Sequence, residues 1–293
     1  MRKRRTRAPD TRLRRGAASV RGTNNSVAPA SQQPSGAERR GQRDPPVNPI
    51  ILIPARLAAT RLPGKPLADI GGRPMVLRVL ERAMEAGIGP VAVAAGDAAI
   101  FDAVRAAGAE AVLADADLPS GTDRVKLALD ALDPDGRHDV VVNLQGDFPT
   151  LDPECLRAVL LALADPAVEI GSLVTPITDP AEAAAPQVVK CACHFAADAP
   201  VAPALYFSRQ PVPWGEGPLW HHIGVYAYRR AALERFVALP PSPLELREKL
   251  EQLRALEAGM RIAVARIEHG PFGVDTPADL ERARAMLGGG GTA

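Results

Sequence analysis

Residues 50–67 read IILIPARLAATRLPGKPL, and this stretch sets the class of fold that we expect. The apolar run 50–53 predicts a short buried strand, and the loop that follows carries the positive charges of Arg56, Arg61 and Lys65. Gly64 allows the backbone of that loop to approach an anion closely. A buried strand followed by a basic, glycine-containing loop is typical of phosphate binding in α/β proteins. A basic surface loop without a ligand would use the same residue types, so the loop taken alone leaves that interpretation open.

Two common phosphate-binding motifs are absent from this loop. The first glycine of the Walker motif G-x-x-x-x-G-K-[ST] is missing, and Pro66 stands where that motif has Ser or Thr. The dinucleotide fingerprint G-x-G-x-x-G is also absent. The loop therefore predicts a phosphate site of another kind.

Apolar strand-like runs alternate with helical patterns along the rest of the chain. The predicted strands are 50–53, 90–94, 111–113, 139–144, 170–175, 188–191, 204–207, 224–228 and 262–267. The predicted helices are 74–86, 97–107, 121–132, 152–163, 242–258 and 276–287. This order predicts a doubly wound α/β fold, with a mostly parallel sheet covered by helices on both faces. After about residue 168 the pattern loosens, and we expect an irregular insert there.

The composition excludes several classes of protein. The chain has 293 residues, 46% of them apolar, which is enough for one large domain or two small ones. We expect no membrane span, because no run approaches the roughly 18 apolar residues that one needs. Cys155, Cys191 and Cys193 are too few for a disulfide framework and lack zinc-site spacing. A reducing compartment fits this cysteine content.

The N-terminal segment differs in kind from the rest of the chain. Residues 1–44 contain 12 Lys/Arg and 3 Asp/Glu, a net charge of +9, whereas the remainder carries −8. We predict a disordered tail at 1–48, a catalytic domain at 49–288 and a flexible C-terminus at 289–293. Three explanations of the tail stay open: an upstream start codon, a basic extension with weak affinity for nucleic acid or anionic membrane, and an organellar transit peptide.

Polar residues follow three of the predicted strands. They are the basic loop after the first strand, the run 145–147 after strand 139–144, and Asp275 after the last strand. Ligands of open α/β sheets bind beyond the carboxyl ends of the strands. Mg²⁺ is held by one or two carboxylates together with phosphate oxygens and water, so we predict Asp147 and Asp275 as its ligands. A turn aspartate at 147, and a residue beside the Thr276 helix cap at 275, are the alternatives.

Seven sequence blocks occur in order along the chain. They are IPARLAATRLPGKPLADIGGRPM from residue 53, SGTDR from 120, NLQGD from 143, ALYFSRQPVPW from 204, HHIGVYAYR from 221, SPLELREKLEQLR from 242 and GVDTPADLERAR from 273. Together they resemble the nucleotidyltransferases that activate sugars, and most closely the 3-deoxy-manno-octulosonate cytidylyltransferase family. The resemblance covers about residues 50–287. The FSR, GVYAYR and EQLR blocks separate this family from other cytidylyltransferases.

The resemblance implies a fold, a reaction and partners. The fold would be a Rossmann-like nucleotide-diphospho-sugar transferase fold, usually a homodimer, in the cytoplasm. The reaction would transfer CMP from CTP to the anomeric hydroxyl of 3-deoxy-D-manno-octulosonate (Kdo), giving CMP-Kdo and pyrophosphate for lipopolysaccharide biosynthesis. Mg²⁺ would be the cofactor, CTP and Kdo the small-molecule partners, and no nucleic acid is expected. Because the hydroxyl attacks the α-phosphate in line, positioning and charge neutralisation would provide most of the catalysis.

The resemblance also implies roles for individual residues, taken from matching positions in the blocks. The implied catalytic residues are Arg56, Lys65, Asp147 and Asp275, the two aspartates being the metal ligands. The implied nucleotide-binding residues are Arg56, Arg61, Gly64, Lys65, Ser120, Arg124 and Gln145. The implied Kdo-binding residues are Arg209, His222, Tyr226, Glu251 and Gln252. Lys190 matches a lysine of the family whose role is less definite.

Several of these residues have ordinary structural explanations when the resemblance is set aside. Ser120 with Asp123 comes close to a helix capping box, although a capped helix start also offers N–H groups to anions. A histidine such as His222 is commonly packed in a core, and a pair such as Glu251 and Gln252 commonly lies on a solvated helix face. His222 and Tyr226 are four residues apart in a predicted strand, so their side chains should share one face.

The chain departs from the family pattern at three places. Ala59 stands where the family usually has Ser. The run 94–97 reads AAGD where the family has ATD followed by acidic residues, so the base contacts and the preference for CTP over UTP stay open. Phe148 replaces an acidic residue directly after Asp147, which brings an apolar ring beside a predicted metal ligand.

Three other functions stay open on the sequence. One is a cytidylyltransferase for another acidic sugar, of the amino-Kdo or sialic acid type. Another is a glycosyltransferase of similar fold, for which the usual D-x-D metal motif is not matched by QGD. The third is a nucleic-acid-binding protein that uses the basic tail, whose binding would be sensitive to salt and would vanish without residues 1–47.

Overall fold

The computed structural model describes residues 47–58, 61–115, 117–197 and 199–288. Nearly all of the predicted tail 1–48, Ala59 and the predicted C-terminal segment 289–293 lie outside the described residues. The strands are β1 (Pro49–Ala55), β2 (Val91–Ala95), β3 (Glu110–Leu113), β4 (Val140–Leu144), β5 (Ile170–Pro176), β6 (Lys190–Ala192), β7 (Val201–Pro203), β8 (Tyr206–Ser208), β9 (Trp220–Arg229) and β10 (Ile262–Arg266).

The helices alternate with these strands. They are α1 (Met75–Glu85), α2 (Ala98–Ala106), α3 (Gly121–Leu132), α4 (Glu154–Leu161), α5 (Pro180–Ala184), α6 (Arg230–Ala238), α7 (Pro243–Glu248), α8 (Gln252–Glu257) and α9 (Pro277–Gly288), with a 3₁₀ turn at Lys65–Leu67. Among the described residues no helix combines the length and the apolar character needed to cross a membrane.

The strands form one sheet whose main path runs β3-β2-β1-β4-β9-β5-β10-β7, with β6 paired to β8 and β9. The pairs β1–β2, β1–β4, β2–β3 and β5–β10 are parallel. Strand β9 lies antiparallel between β4 and β5 in the middle of the sheet. The mostly parallel α/β fold predicted from the sequence is confirmed. Much of the segment expected to be an irregular insert contributes strands to this central sheet.

Both faces of the sheet are buried, as the continuous apolar strands predict. In β1, Ile51 and Ile53 pack into one core cluster, whereas Ile50 and Leu52 pack into the other. Helices α1, α2 and α4 cover the first face. Helices α3, α6 and α8 cover the second. Helix α9 closes a smaller cluster with Ile70, Met75 and Val274.

The predicted helix 242–258 is wrong as one continuous element. Helix α7 begins with the predicted capping box of Ser242 and Glu245, but it ends at Lys249, which has the left-handed angles φ 57° and ψ 45°. A new helix, α8, starts at Gln252. The break buries both Leu250 and Leu253, and it places Glu251 at the start of α8. Helices α5 and α6 and strand β7 were not predicted.

Candidate active site

A cleft opens where the order of the strands reverses. From β1 the chain continues to β2 and β3 on one side and then returns to β4 on the other, so the carboxyl ends of β1 and β4 flank a topological switch point. The cleft has a volume of about 400 Å³. Its lining residues are Pro54, Ala55, Arg56, Ala58, Arg61, Leu62, Lys65, Pro66, Gly121, Arg124, Gln145, Gly146, Asp147 and Asp275. Both predicted metal ligands and most predicted nucleotide-binding residues are therefore brought together.

The basic loop after β1 is held by its own backbone. Gly64 has φ 69°, a left-handed conformation that glycine adopts without strain, and its N–H donates to the Leu57 carbonyl at 3.3 Å. The Leu57 N–H in turn donates to Asp97 Oδ2 at 2.7 Å. The 3₁₀ turn begins at Lys65 and has Pro66 in its first positions. Gly64 thus shapes the loop that carries Lys65, rather than lining the cleft itself.

Lys65 joins the two predicted metal ligands. Its Nζ lies 3.0 Å from Asp147 Oδ2 and 3.0 Å from Asp275 Oδ1. Arg61 Nη2 lies 2.9 Å from Asp275 Oδ2. Two carboxylates and two cationic side chains therefore share one edge of the cleft, where a triphosphate could exchange with these ion pairs.

The pKa values of this cluster follow from burial and from its charges. Burial raises the pKa of Asp147, and the nearby Asp275 adds to that rise, whereas the ammonium group of Lys65 opposes it. Burial lowers the pKa of Lys65, but the two carboxylates outweigh burial and raise the net pKa above its ordinary value. Lys65 is therefore protonated at neutral pH.

The carboxylates fit a divalent cation that shares a phosphate ligand. Asp147 Oδ1 is buried and has no hydrogen-bond partner among the described residues. In the part of the chain that the structure describes, no group of three or more His, Cys, Asp or Glu side chains could hold a metal ion. A site with two carboxylates suits Mg²⁺, which completes its shell with phosphate oxygens and water.

The segments that carry Asp147 and Asp275 contact each other directly. The Val274 N–H donates to the Asp147 carbonyl at 3.0 Å. The ring of Phe148 lies against Gly273, where an added Cβ would come within 3.4 Å of Cε1. The aromatic residue that departs from the family pattern therefore packs against the backbone just before Asp275.

The SGTDR block forms the start of α3. Ser120 is the N-cap, and its Oγ accepts hydrogen bonds from the N–H groups of Thr122 and Asp123. This confirms the predicted cap, and Ser120 is not among the residues that line the cleft. Arg124 lines the cleft, and burial together with the nearby Arg56 lowers its pKa. A buried arginine beside a second arginine favours binding of an anion.

Four of the predicted sugar-binding residues lie on β9 and at the start of α8. The rings of His222 and Tyr226 have centroids 5.5 Å apart, as their shared strand face predicts. Burial raises the pKa of Tyr226, with a further contribution from Glu251. Gln252 is buried, and Glu251 Oε1 is buried without a hydrogen-bond partner among the described residues. This group offers polar side chains in a largely apolar setting.

His222 is neutral in this environment. Burial lowers its pKa to about 3, and His221 contributes in the same direction. Its Nε2 lies 2.9 Å from Ser172 Oγ, which also lies within hydrogen-bond distance of the Ile223 and Val225 carbonyls. Because the serine proton goes to a carbonyl, Nε2 is assigned as the donor to Ser172.

Arg209 is held by backbone carbonyl groups. Its guanidinium donates to the carbonyls of Glu248, Pro186 and Lys249 at 2.7, 3.0 and 3.2 Å. The buried Lys190 donates from Nζ to the Ala185 carbonyl at 2.8 Å and to the Arg209 carbonyl at 3.0 Å. The two side chains thus fix the chain around Pro186 and the end of α7.

Two polar residues that the sequence analysis did not single out connect the groups described above. Thr122 and Asn143 are both buried, at 2% and 1% exposure, between Gln145 and Glu251. An asparagine inside the otherwise apolar strand VVVNL was the available signal, because a buried amide needs partners.

Comparisons with known proteins agree with this architecture. The sequence profile of a family described as Cytidylyltransferase matches residues 50–262. A 3-deoxy-manno-octulosonate cytidylyltransferase of Methylobacterium radiotolerans is 62% identical over 242 residues, covering 83% of this chain and 98% of the relative. A relative of the same name from Rhodospirillum centenum is 63% identical over 242 residues, covering 83% and 94%.

A solved structure extends the agreement to three dimensions. The structure of CMP:2-keto-3-deoxy-manno-octonic acid synthetase complexed with CTP matches with a TM-score of 0.75 at 40% identity. The match covers 83% of this chain and 99% of that one. The resemblance inferred from the seven blocks is therefore confirmed.

Proposed function

The chain belongs to the 3-deoxy-manno-octulosonate cytidylyltransferase family, and on that premise we propose that it transfers CMP from CTP to Kdo and releases pyrophosphate. The observation that carries this function is the cluster of Lys65, Asp147 and Asp275 at the switch point of the sheet. Such a cluster can exchange its internal ion pairs for a metal-bound triphosphate. Lys65, Asp147 and Asp275 each lie within one of the seven sequence blocks that match the family.

The nucleotide would bind in the cleft after β1. Arg56, Arg61, Lys65 and Arg124 line it and would hold the triphosphate and the leaving pyrophosphate. Gln145 lines the same cleft, while Gly64 and Ser120 would act by shaping the loop and the start of α3. Preorganised charges of this kind stabilise the transition state, because they need no rearrangement as the charge on the phosphate develops.

Mg²⁺ is the cofactor that we propose, with Asp147 and Asp275 as its protein ligands. The buried, unpartnered Asp147 Oδ1 supports this assignment, as does the pairing of two carboxylates. When bound, the ion would supply positive charge to the phosphate oxygens. Lys65 would then release the carboxylates and remain available to the phosphates.

The sugar would bind beside β9 and α8. The orphan oxygen Glu251 Oε1 can accept a hydrogen bond from a sugar hydroxyl, and Tyr226, His222 and Gln252 supply further polar atoms nearby. In the reaction, the anomeric hydroxyl would lose its proton to solvent water and its oxygen would bond to the α-phosphorus. The bond between the α-phosphorus and the oxygen that bridges to the β-phosphate would break, and that oxygen would leave with pyrophosphate. The relatives' names favour Kdo over the sialic acid or amino-Kdo alternative.

Arg209 was predicted to bind Kdo, and that role stays a proposal. Three of the five N–H groups of its guanidinium donate hydrogen bonds to backbone carbonyls. Contact with the sugar would use the remaining N–H groups or would require the Pro186 segment to move.

Assembly, location and chain organisation complete the proposal. A homodimer is supported by exposed apolar side chains in the segment around β8, namely Leu205, which precedes the strand and is 70% exposed, and Trp214, which follows it in sequence and is 99% exposed. The free thiols of Cys155, Cys191 and Cys193 support a cytoplasmic location. The division into 1–48, 49–288 and 289–293 predicts that a chain starting at residue 48 keeps its activity. Sedimentation of that shorter chain tests the homodimer, and its turnover tests the division of the chain.

The reaction itself is tested by release of pyrophosphate from the full-length chain. Release should require CTP, Kdo and Mg²⁺ together, and Asp147→Asn should abolish it while keeping the thermal transition of the folded protein. UTP, a sialic acid and an amino-Kdo serve as parallel substrates. Turnover of another acidic sugar in place of Kdo would reassign the substrate. No turnover of any nucleotide–sugar pair would contradict the proposal.

A further inference from the structure

A chain of hydrogen bonds connects the nucleotide cleft with the proposed sugar site. Gln145 Nε2 lies 3.0 Å from Asn143 Oδ1, Asn143 Nδ2 lies 3.3 Å from Thr122 Oγ1, and Thr122 Oγ1 lies 2.9 Å from Glu251 Oε2. Thr122 and Glu251 are 129 residues apart in sequence. The chain starts at a residue that lines the cleft and ends on a carboxylate of the other group.

The direction of these bonds follows from the chemistry of the groups. An amide nitrogen can only donate, so Asn143 Oδ1 accepts from Gln145, and Thr122 Oγ1 accepts from Asn143. Thr122 has one hydroxyl proton, which it gives to Glu251 Oε2. Every donor therefore points toward Glu251, and the ionised carboxylate is the natural end of such a chain.

The burial of the middle residues makes the chain costly to break. Asn143 is 1% exposed within β4, and Thr122 is 2% exposed in the first turn of α3. A buried polar group that loses its partner costs more than an ordinary hydrogen bond contributes. The bond to Thr122 also occupies Oε2 and leaves Oε1 of the same carboxylate without a partner among the described residues.

We propose that Thr122 and Asn143 are positioning residues that hold Glu251 by Oε2 and present Oε1 to a hydroxyl of the sugar. The inference rests on the proposed function, because it assumes a polyhydroxylated substrate beside α8. Neither residue touches the substrate. Each acts by fixing the position and the charge of Glu251, while Gln145 anchors the other end of the chain in the nucleotide cleft.

The charge on Glu251 depends on more than Thr122. Burial raises its pKa, and the hydroxyl groups of Ser120 and Thr122 counter part of that rise. Arg254 on α8 favours the charged form, whereas Asp123 on α3 opposes it. Tyr226 and Tyr228 face it from β9 as uncharged groups at neutral pH. Loss of the Thr122 hydroxyl would remove one stabilising bond and raise the pKa of Glu251 further.

The test compares Thr122→Val, which removes the hydroxyl at nearly constant volume, with Thr122→Ser, which keeps it. Thr175→Val is the matched control, because Thr175 is also largely buried and its Oγ1 donates to the Glu268 carbonyl at 3.0 Å. Steady-state turnover of the full-length protein is measured against CTP and Kdo over pH 5–9. Binding of CTP is measured separately by calorimetry.

We expect Thr122→Val to lower kcat/KM for Kdo by about ten- to hundredfold, the range for a lost hydrogen bond to a charged group. Its Kd for CTP should stay within about threefold of the wild-type value, a change in binding free energy of less than about 1.4 kcal/mol. The acidic limb of its kcat/KM profile should move to higher pH. In Thr122→Ser, kcat/KM for Kdo and the position of the acidic limb should both return to their wild-type values. Thr175→Val should change neither of these two quantities. Asn143→Ala should weaken Kdo use in the same direction.

A double-mutant cycle distinguishes positioning from an independent effect. If Thr122 acts through Glu251, the losses in Thr122→Val and Glu251→Gln should not multiply in the double variant. Multiplying losses, an unmoved pH limb or an unchanged use of Kdo in Thr122→Val would overturn the inference. Turnover by the wild-type enzyme distinguishes failure of this inference from failure of the proposed function. If it turns over a different acidic sugar, the same comparisons are made with that sugar, and if it turns over none, the function fails first.

Discussion

The ammonium group of Lys65 lies 3.0 Å from the Asp147 carboxylate, at the position where a cation would be needed to neutralise it. The same nitrogen reaches Asp275 at an equal distance. The protein therefore carries an internal cation between the two carboxylates that we assign to the metal. Binding of a divalent ion and pairing with Lys65 compete for the same oxygens.

Replacement of Lys65 by methionine should separate metal binding from catalysis. Removing a competing positive charge should let Mn²⁺ bind at least as tightly as in the wild type, which electron paramagnetic resonance of free Mn²⁺ can measure. Turnover should nevertheless fall by about 10²–10³-fold, because the phosphates lose a preorganised charge. A large loss of Mn²⁺ affinity in Lys65→Met would contradict the competition and point to collapse of the carboxylate pair.

As the pH is lowered, metal affinity should begin to fall at a higher pH than it would if the ligand were an aspartate of ordinary pKa. Burial and Asp275 raise the pKa of Asp147 above its ordinary value of 3.8, and the metal binds only the deprotonated form. As pH falls toward that raised value, protons compete with the ion. Mn²⁺ affinity measured over pH 4.5–8 should show this decline, and Lys65→Met should shift it to higher pH. The same profile in wild type and variant would argue against a role for Lys65 in setting this pKa.

Phe148 should matter for the spacing of the metal ligands. Its ring packs on Gly273, and the Val274 N–H donates to the Asp147 carbonyl, so the two segments that carry the carboxylates are held in contact. Phe148→Ala should weaken Mn²⁺ binding roughly tenfold, or about 1.4 kcal/mol, and Phe148→Leu should do so less. Phe101→Ala removes another partly buried phenylalanine of the same core and is the control. It should lower the melting temperature without changing Mn²⁺ affinity.

The ion pair of Asp133 and Arg230, which does not line the cleft, should stabilise the folded protein. Asp133 is fully buried, with Arg230 Nη1 at 2.7 Å and the N–H groups of Arg137 and His138 also donating to its carboxylate. Burial raises the pKa of Asp133, but these donors lower it to a net value of about 2. Asp133→Ala should cost about 3 kcal/mol, as expected when one partner of a buried ion pair is removed.

The pH dependence of this pair has a defined sign. Because the folded pKa lies below the unfolded one, the stabilisation is present above about pH 4 and is lost as pH falls toward 2. Urea unfolding of wild type and Asp133→Ala should therefore differ less at pH 3 than at pH 7. Asp130→Ala breaks a more exposed pair with Lys126 and should cost under about 0.5 kcal/mol.

His222 should stay neutral throughout the working range of the enzyme. Burial lowers its pKa to about 3, so protonation favours the unfolded chain and stability falls as pH drops from about 6.5 toward 3. Its imidazole ¹⁵N signals should show no titration between pH 5 and 8. His222→Gln should flatten the fall in stability over pH 4–6.5. A titration of the ring near pH 6.5 would show that the histidine is not buried in solution.

The local elements of this fold were accessible from the sequence, because they depend on neighbours within a few residues. The alternation of Ile50, Ile51, Leu52 and Ile53 between two cores follows from the two-residue period of a strand buried on both faces. The cap at Ser120 and the capping box at Ser242 are set by side chains three residues apart. The ordered blocks then identified the family and predicted that the basic loop and both aspartates belong to one site.

Only the tertiary structure decided the contacts between distant segments. The antiparallel position of β9 between β4 and β5 is set by strand order, which a hydrophobic pattern does not encode. The break at Lys249 interrupts a continuous helical pattern just before Leu250 and Leu253, which are buried in the second core cluster. The bond from Thr122 to Glu251 exists because α3 and α8 cover the same face. Local periodicity fixed what each segment forms, whereas packing of the two faces fixed which side chains meet.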